Sequence, residues 1–210
     1  MPLIKCPDCH NSISDRAEKC PHCGLPAAYF VTSEDKRTET LVTGDLDYKN
    51  LSNVLISFDS DYTRLFAPNH YITHRDINKI VTTYDKYYQS LKNKLIFQYV
   101  CNNVSAFRVD IDALKRFLQK MDTLDSDITT HNTNYVEETL IREKEYFDQI
   151  LLDIDPSIRL DDEQRRAVIT DDDYCLLVAG AGAGKTTTMA AKVKYLVDKR
   201  GVNPEEIIVI

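Results

Sequence analysis

The sequence predicts an α/β protein in which a strand, a glycine loop and a helix near the C-terminus begin a parallel sheet. An α-helical hairpin region and a small cysteine-rich metal-binding unit precede it. Three observations carry this expectation. Gly180, Gly182 and Gly184 are three of only six glycines and sit together in "VAGAGAGKTTTMAAK". Between Pro68 and Pro156 there is neither glycine nor proline, and apolar residues there recur at helical steps. Two Cys-x-x-Cys pairs lie within the first 23 residues.

With 210 residues and a net charge of -7, the chain has the composition of an ordinary globular protein, and its charge gives no support for broad electrostatic binding to nucleic acid. The start, "MPLIKCPDCH", has no apolar stretch behind a basic head. No run approaches the roughly 18 apolar residues of a membrane span. A cytoplasmic protein is expected.

The N-terminal stretch "CPDCHNSISDRAEKCPHCG" holds Cys6, Cys9, Cys20 and Cys23, the pairs ten residues apart. Two tight turns that each present a pair of thiolates make the tetrahedral sulfur cage that zinc favours, with no position left open for water. So short a segment buries too little apolar surface to fold unaided, so the metal supplies its folding free energy and is structural. The stretch resembles the small zinc ribbons whose knuckles read Cys-Pro-x-Cys-Gly; "CPHCG" fits fully, whereas His10 stands where glycine is usual. His10 and His22 are secondary ligand candidates. Cys101 and Cys175, isolated in apolar surroundings, read as buried packing residues.

The residue pattern divides the chain into a zinc ribbon (1–26), a linker with a short strand (27–44), a helical region (45–154) and a nucleotide-binding segment (155–210). In the helical region Ile77, Val81, Tyr84, Tyr88, Leu91 and Leu95 alternate steps of four and three, as do Phe107, Ile111, Leu114, Leu118 and Met121. This spacing predicts an antiparallel hairpin with "CNNVS" as the turn. A third helix is expected from about Tyr135 to Leu152, facing inward through Val136, Leu140, Phe147 and Leu151, with "SDITTHNTN" before it as a loop. Nothing in this region reads as catalytic.

In the C-terminal segment "DYCLLVAG" suits a buried parallel strand, and Met189, Val193, Leu196 and Val197 form a helical face that ends near Gly201. Strand, glycine loop and helix together make a P-loop. Its amides and helix N-terminus point at phosphate, Lys185 reaches the outer phosphates, and the Thr186 hydroxyl ligates magnesium. The pattern usually begins with glycine; Ala179 takes that place here.

"AGAGAGKT" resembles the first motif of the UvrD/Rep-type DNA helicases of superfamily one, and "LDDEQRRAV" resembles their Q motif. The resemblance implies the start of a RecA-like ATP-binding domain, with "YFDQILLDIDPSIRLDDEQRRAV" nearest the helicase IV-like branch. It implies that Gln164 reads the adenine edge and that Ala179, Gly180, Ala181, Gly182, Ala183, Gly184, Lys185, Thr186 and Thr187 hold ATP and Mg2+, with Lys185 and Thr186 acting in catalysis. Asp161 and Gln164 also have the spacing of a helix capping box, and the two roles can coexist. Thr187 replaces the arginine that some relatives carry.

The implied activity is ATP-driven movement on DNA by a longer parent, of which this chain is the N-terminal part, inactive alone. Its Thr-Phe-Thr and Asp-Glu motifs would lie beyond "EEIIVI", which should form a strand with an exposed edge. Two alternatives stand beside this reading. One is a non-enzymatic interaction module whose zinc ribbon and hairpin bind a protein partner. The other is a GTPase of the signal-recognition-particle type, which "GKTTTMAAKVKYLVDKRG" also resembles.

Overall fold

A computed structural model describes residues 3–6, 9–14, 17–24 and 48–209. The expected linker at 27–44 and its short strand lie outside the described residues. The chain divides into two compact units: the described residues up to Ser60 with Thr82–Asp122, and Asp61–Val81 with the described residues from Thr123 onward. Among the described residues no helix is long and apolar enough to cross a membrane.

The first unit holds a two-stranded antiparallel sheet, β1 (Leu3–Lys5) and β2 (Ser12–Ser14), with Ile4 opposite Ile13. It also holds most of α1 (Leu51–Leu65), the second half of α2 (His74–Lys92), α3 (Lys94–Asn102), α4 (Val104–Phe107) and the first third of α5 (Ile111–Arg142). The Phe58 ring meets Tyr84 edge-on at 5.1 Å and Phe117 at 4.7 Å, and all three are buried. Such edge-to-face contacts add to the burial of the rings.

Helix α2 buries Ile80, Tyr84, Tyr87 and Leu91, while Leu95 stays half exposed. Tyr84 and Leu91 are thus buried as expected, and the expected seam is lost at Leu95 because Asn93 ends one helix and starts the next. Its side chain accepts from the backbone N–H of Leu95 and Ile96, so Ile96 and Val100 turn inward instead of Leu95. The expected turn at "CNNVS" is largely helical. The chain breaks at Arg108, left-handed with φ 51°, and restarts where the Asp110 carboxylate caps the N–H groups of Asp112 and Ala113.

The loop expected at "SDITTHNTN" is helix: α5 runs unbroken from Ile111 to Arg142. Most of its polar side chains find a partner without breaking the helix. Thr129, Thr130 and Thr133 hydroxyls donate to carbonyls four residues back, all at 2.8 Å. Asn132 spans the Ile72 backbone, accepting from its N–H and donating to its carbonyl, both at 2.9 Å, and His131 meets the His70 carbonyl. A second short helix, α6 (Lys144–Gln149), follows.

The rest of the second unit is α7 (Asp162–Ile169), an extended run to the glycine loop, α8 (Lys185–Arg200) and a 3-10 turn at Pro204–Glu206. Tyr135, Phe147, Ile150, Leu151, Leu160, Val168, Ile169, Ala191 and Tyr195 form its core. The buried face of α8 is Thr188, Ala191 and Tyr195, not the expected Met189, Val193, Leu196 and Val197. Gly201, φ 67°, closes the helix as expected.

The expected P-loop sheet is not formed among the described residues. A strand exists through hydrogen bonds to a neighbour, and neither residues 175–180 nor 207–209 find one. Leu176 and Val178 are accordingly more than 80% exposed (87% and 84%), and Cys175 is exposed where a buried thiol was expected. Cys101 is half-buried.

The continuity of α5 can be tested at exposed Thr130. Thr130→Pro removes a helical N–H and clashes with the preceding turn, and should lower unfolding stability by about 3 kcal/mol, read by urea denaturation. A loop at this position would tolerate the substitution.

Candidate functional site

The loop that precedes α8 turns on two glycines in the left-handed region, Gly182 at φ 78° and Gly184 at φ 79°. Gly184 is the N-terminal cap of α8. Its carbonyl receives the Thr188 N–H at 2.8 Å and the Thr188 hydroxyl at 3.0 Å. Any Cβ at Gly184 would lie 2.5 Å from the Gln164 carboxamide nitrogen, in a backbone conformation L-residues avoid. Lys185 and Thr186 begin the helix and are exposed. The Lys185 ammonium folds back on its own loop, donating to the carbonyls of Ala179 and, at 2.9 Å, Gly180. The arrangement offers a positive helix end, a lysine and a hydroxyl side by side, the set of groups that binds an anion.

Gln164 sits at the first turn of α7 and makes three bonds. Its Oε1 accepts from the Asp161 N–H at 3.0 Å, the Asp161 carboxylate accepts from the Gln164 N–H at 2.8 Å, and its Nε2 donates to the Ala183 carbonyl at 3.3 Å. The capping box is therefore present, and the same side chain touches the glycine loop. Arg165 bonds Asp148 at 2.7 Å, and Arg166 pairs with Glu137. These tie α7 to α6 and α5 respectively.

Sequence reasoning missed what joins α7 to α8. The Lys192 ammonium donates to the Val168 carbonyl at 2.9 Å and the Thr170 carbonyl at 2.5 Å, with Asp171 3.8 Å away. It missed the Asp171–Asp173 run as well. Asp171 also meets Arg200 at 3.4 Å, while Asp172 and Asp173 accept from the first N–H groups of α2 at His74 and Arg75. A lysine on a helix seven residues after the loop lysine carries no signal in one sequence, since its partners are backbone atoms.

The four N-terminal cysteines converge. Their Sγ atoms all lie within 4.8 Å of one another, with Cys6 and Cys23 at 3.5 Å and Cys9 and Cys20 at 3.5 Å. This set can hold a metal ion; His10 and His22 lie outside it and are exposed. The two knuckles repeat one geometry. His10 N–H donates to the Cys6 carbonyl at 3.0 Å and Gly24 N–H to the Cys20 carbonyl at 2.9 Å, His10 having φ 59° and Gly24 φ 81°. Thus the residue after each second cysteine is left-handed, which explains why glycine is usual there.

The backbone N–H of Asn11 holds the Cys9 thiol below its ordinary range. Burial pushes Cys20 up, but the backbone N–H groups of Cys23 and His22 and the neighbouring thiols outweigh it, bringing Cys20 to about 6. Lowered thiols supply the thiolate that metals bind.

Residues 160–210 match the sequence model of the UvrD/REP helicase N-terminal domain. Among curated proteins the chain is similar to a "Probable DNA helicase" of Mycoplasma pneumoniae, 45% identical over 49 residues, or 23% of this chain and 9% of that protein. It is also similar to "DNA helicase IV" of Escherichia coli, 28% identical over 109 residues, 52% of this chain and 15% of that protein. The "ATP-dependent DNA helicase UvrD1" of Mycobacterium leprae is 43% identical over 51 residues, 24% of this chain and 7% of that protein. The matches thus take in only a small part of each relative. The helicase IV alignment is more than twice as long as the family match, so it extends into the helical chain before Leu160. No solved structure matches.

The knuckle geometry is testable. Gly24→Ala should cost about 1 kcal/mol, whereas His10→Gly should be neutral or stabilising, both read by thermal unfolding of the N-terminal sheet with metal present. Equal effects of the two substitutions would contradict the shared left-handed turn. Residues 160–210 thus match the UvrD/REP helicase N-terminal domain, and it is to UvrD/Rep-type DNA helicases that the chain is similar.

Proposed function

We propose that this chain is the N-terminal part of an ATP-dependent DNA helicase, and that residues 179–187 hold the phosphates of ATP. The observation that carries the reading is the left-handed Gly182 and Gly184 loop feeding directly into α8, inside the segment that matches the helicase family. In this reading Lys185 leaves the Ala179 and Gly180 carbonyls for the outer phosphates, and Thr186 ligates Mg2+. Loop amides from Ala179 to Thr187 supply the remaining donors.

Gln164 would read the base. Its Oε1 has a second lone pair beyond the one given to Asp161, and its Nε2 a second N–H beyond the one given to Ala183. One acceptor and one donor on a planar amide complement the N6–H and N7 of adenine. Capping and base reading are thus compatible in a single side chain.

Hydrolysis asks for more than this chain offers. Phosphoryl transfer needs a carboxylate to orient metal and water and cations to spread the developing charge. Residues 187–210 contain no adjacent Asp-Glu pair. DNA is the proposed partner of the longer parent, working in the cytoplasm, and this chain by itself at most binds nucleotide.

The N-terminal cysteines we assign to structural zinc. Four thiols around one point leave no open position, and β1 and β2 bury too little on their own.

Calorimetry should show Mg2+-dependent ATP binding that falls at least tenfold in Lys185→Ala, with no DNA-stimulated ATP hydrolysis by the 210-residue chain. Binding indifferent to Lys185 would overturn the nucleotide assignment. Elemental analysis should find one zinc per chain, lost in the Cys20→Ser, Cys23→Ser double variant together with the amide signals of β1 and β2. A full zinc complement in that variant would refute the cage.

A further inference from the structure

Helix α7 is eight residues long, too short to persist alone. Much of its hold on α8 is the burial of Val168 and Ile169, both without exposed surface, in a core with Ala191 and Tyr195. Apolar burial is non-directional, so by itself it leaves α7 free to slide or roll on α8. Polar ties restrict that freedom: beside the Arg165 and Arg166 pairs to α6 and α5, two ties run from α7 to the glycine loop and α8. One is the Gln164 contact to the Ala183 carbonyl at the N-terminal end of α7. The other is the Lys192 ammonium on the Val168 and Thr170 carbonyls at the C-terminal end. Gln164 and Thr170 are about 9 Å apart along the helix axis, so the ties act on α7 from opposite ends.

We propose that Lys192 is a positioning residue for the nucleotide site: by gripping the last carbonyls of α7 it fixes the register that lays the Gln164 carboxamide on the glycine loop. This rests on the assignment of that loop to ATP. The helix-terminal carbonyls it satisfies would otherwise lack helical partners, and a lysine near a helix C-terminus also suits the helix dipole. Burial pulls the Lys192 ammonium down from its usual range, while Asp171 and Cys175 oppose the shift. A charge kept in such a place holds its partners tightly.

The consequence is a division of labour. Lys185 and the loop amides answer to the phosphates whatever α7 does, because they belong to the loop and α8. Gln164 answers to the base only if α7 is in register. Loss of the Lys192 grip should therefore weaken recognition of the base and spare that of the phosphates.

The test compares Mg2+-ATP with Mg2+-tripolyphosphate, which carries the phosphates without base or sugar, on the whole 210-residue chain. Lys192→Met keeps the side-chain length and removes the ammonium; Lys192→Arg keeps a donor. Lys192→Met should weaken ATP about tenfold, the scale of losing a charge-assisted bond, and leave tripolyphosphate within about twofold. Lys192→Arg should recover most of the ATP affinity. The side-chain amide signal of Gln164 should move in Lys192→Met and return in Lys192→Arg.

Equal losses for both ligands, or no loss for either, would overturn the positioning role. If the unmodified chain binds neither ligand in a Lys185-dependent way, the nucleotide reading itself has failed. The Gln164 signal then decides the grip alone: a shift in Lys192→Met, reversed by arginine, upholds it and an unmoved signal ends it.

Discussion

Val168 and Ile169 are closed off completely, in one core with Ala191 and Tyr195. The rest of the structure around the glycine loop depends on that burial. Each such aliphatic side chain contributes about 1.5–3 kcal/mol when removed from water, enough to hold a helix of two turns that would otherwise melt. Phe147, Ile150 and Leu151 complete the same core, so the segment after α5 is packed with the helices that flank the loop. The loop itself buries almost nothing and owes its shape to two left-handed glycines and to its neighbours.

The wider frame around this core is polar and repetitive in its logic. Lys199 pairs with Glu143 at 2.8 Å and lies over the Tyr146 ring, whose hydroxyl donates to Asp198 at 3.0 Å. Arg200 lies over both Tyr135 and Tyr195. Cations on the last turn of α8 thus sit where the helix dipole favours them, and their stems cover aromatic faces. The aromatic residues that the sequence spreads along α5, α6 and α8 act as packing surface. None of them stands open in the manner of a base-stacking platform.

How much could be read from the sequence depended on whether a partner was local. Gly182, Gly184, Gly201 and the cysteine spacing were legible because their geometry is enforced within a few residues. Cys-x-x-Cys and Gly-x-Gly leave little else to do. The Asp161 and Gln164 box was legible for the same reason, whereas the Gln164 contact to Ala183 required the fold. Polar composition misled at "SDITTHNTN", since threonine and asparagine can pay their hydrogen bonds to a helix's own carbonyls or to a passing backbone. Apolar composition misled at "CLLV", because hydrophobicity selects a strand only where another strand lies alongside. The helical seams were found in part: Tyr84, Leu91, Leu114, Met121, Phe147 and Leu151 are buried as expected, but Phe117 and Tyr135 are buried where Leu118 and Val136 are only half so.

Asp171, Asp172 and Asp173 stand a few residues ahead of the glycine loop, in a protein already carrying a charge of -7. Left bare, three carboxylates there would oppose an incoming polyanion. None is bare. Asp171 faces Lys192 and Arg200, and Asp172 and Asp173 are spent on the positive end of α2. The acidic run is thus held by partners at short range, and the positive groups that the loop itself presents are the N-terminal end of α8 and Lys185.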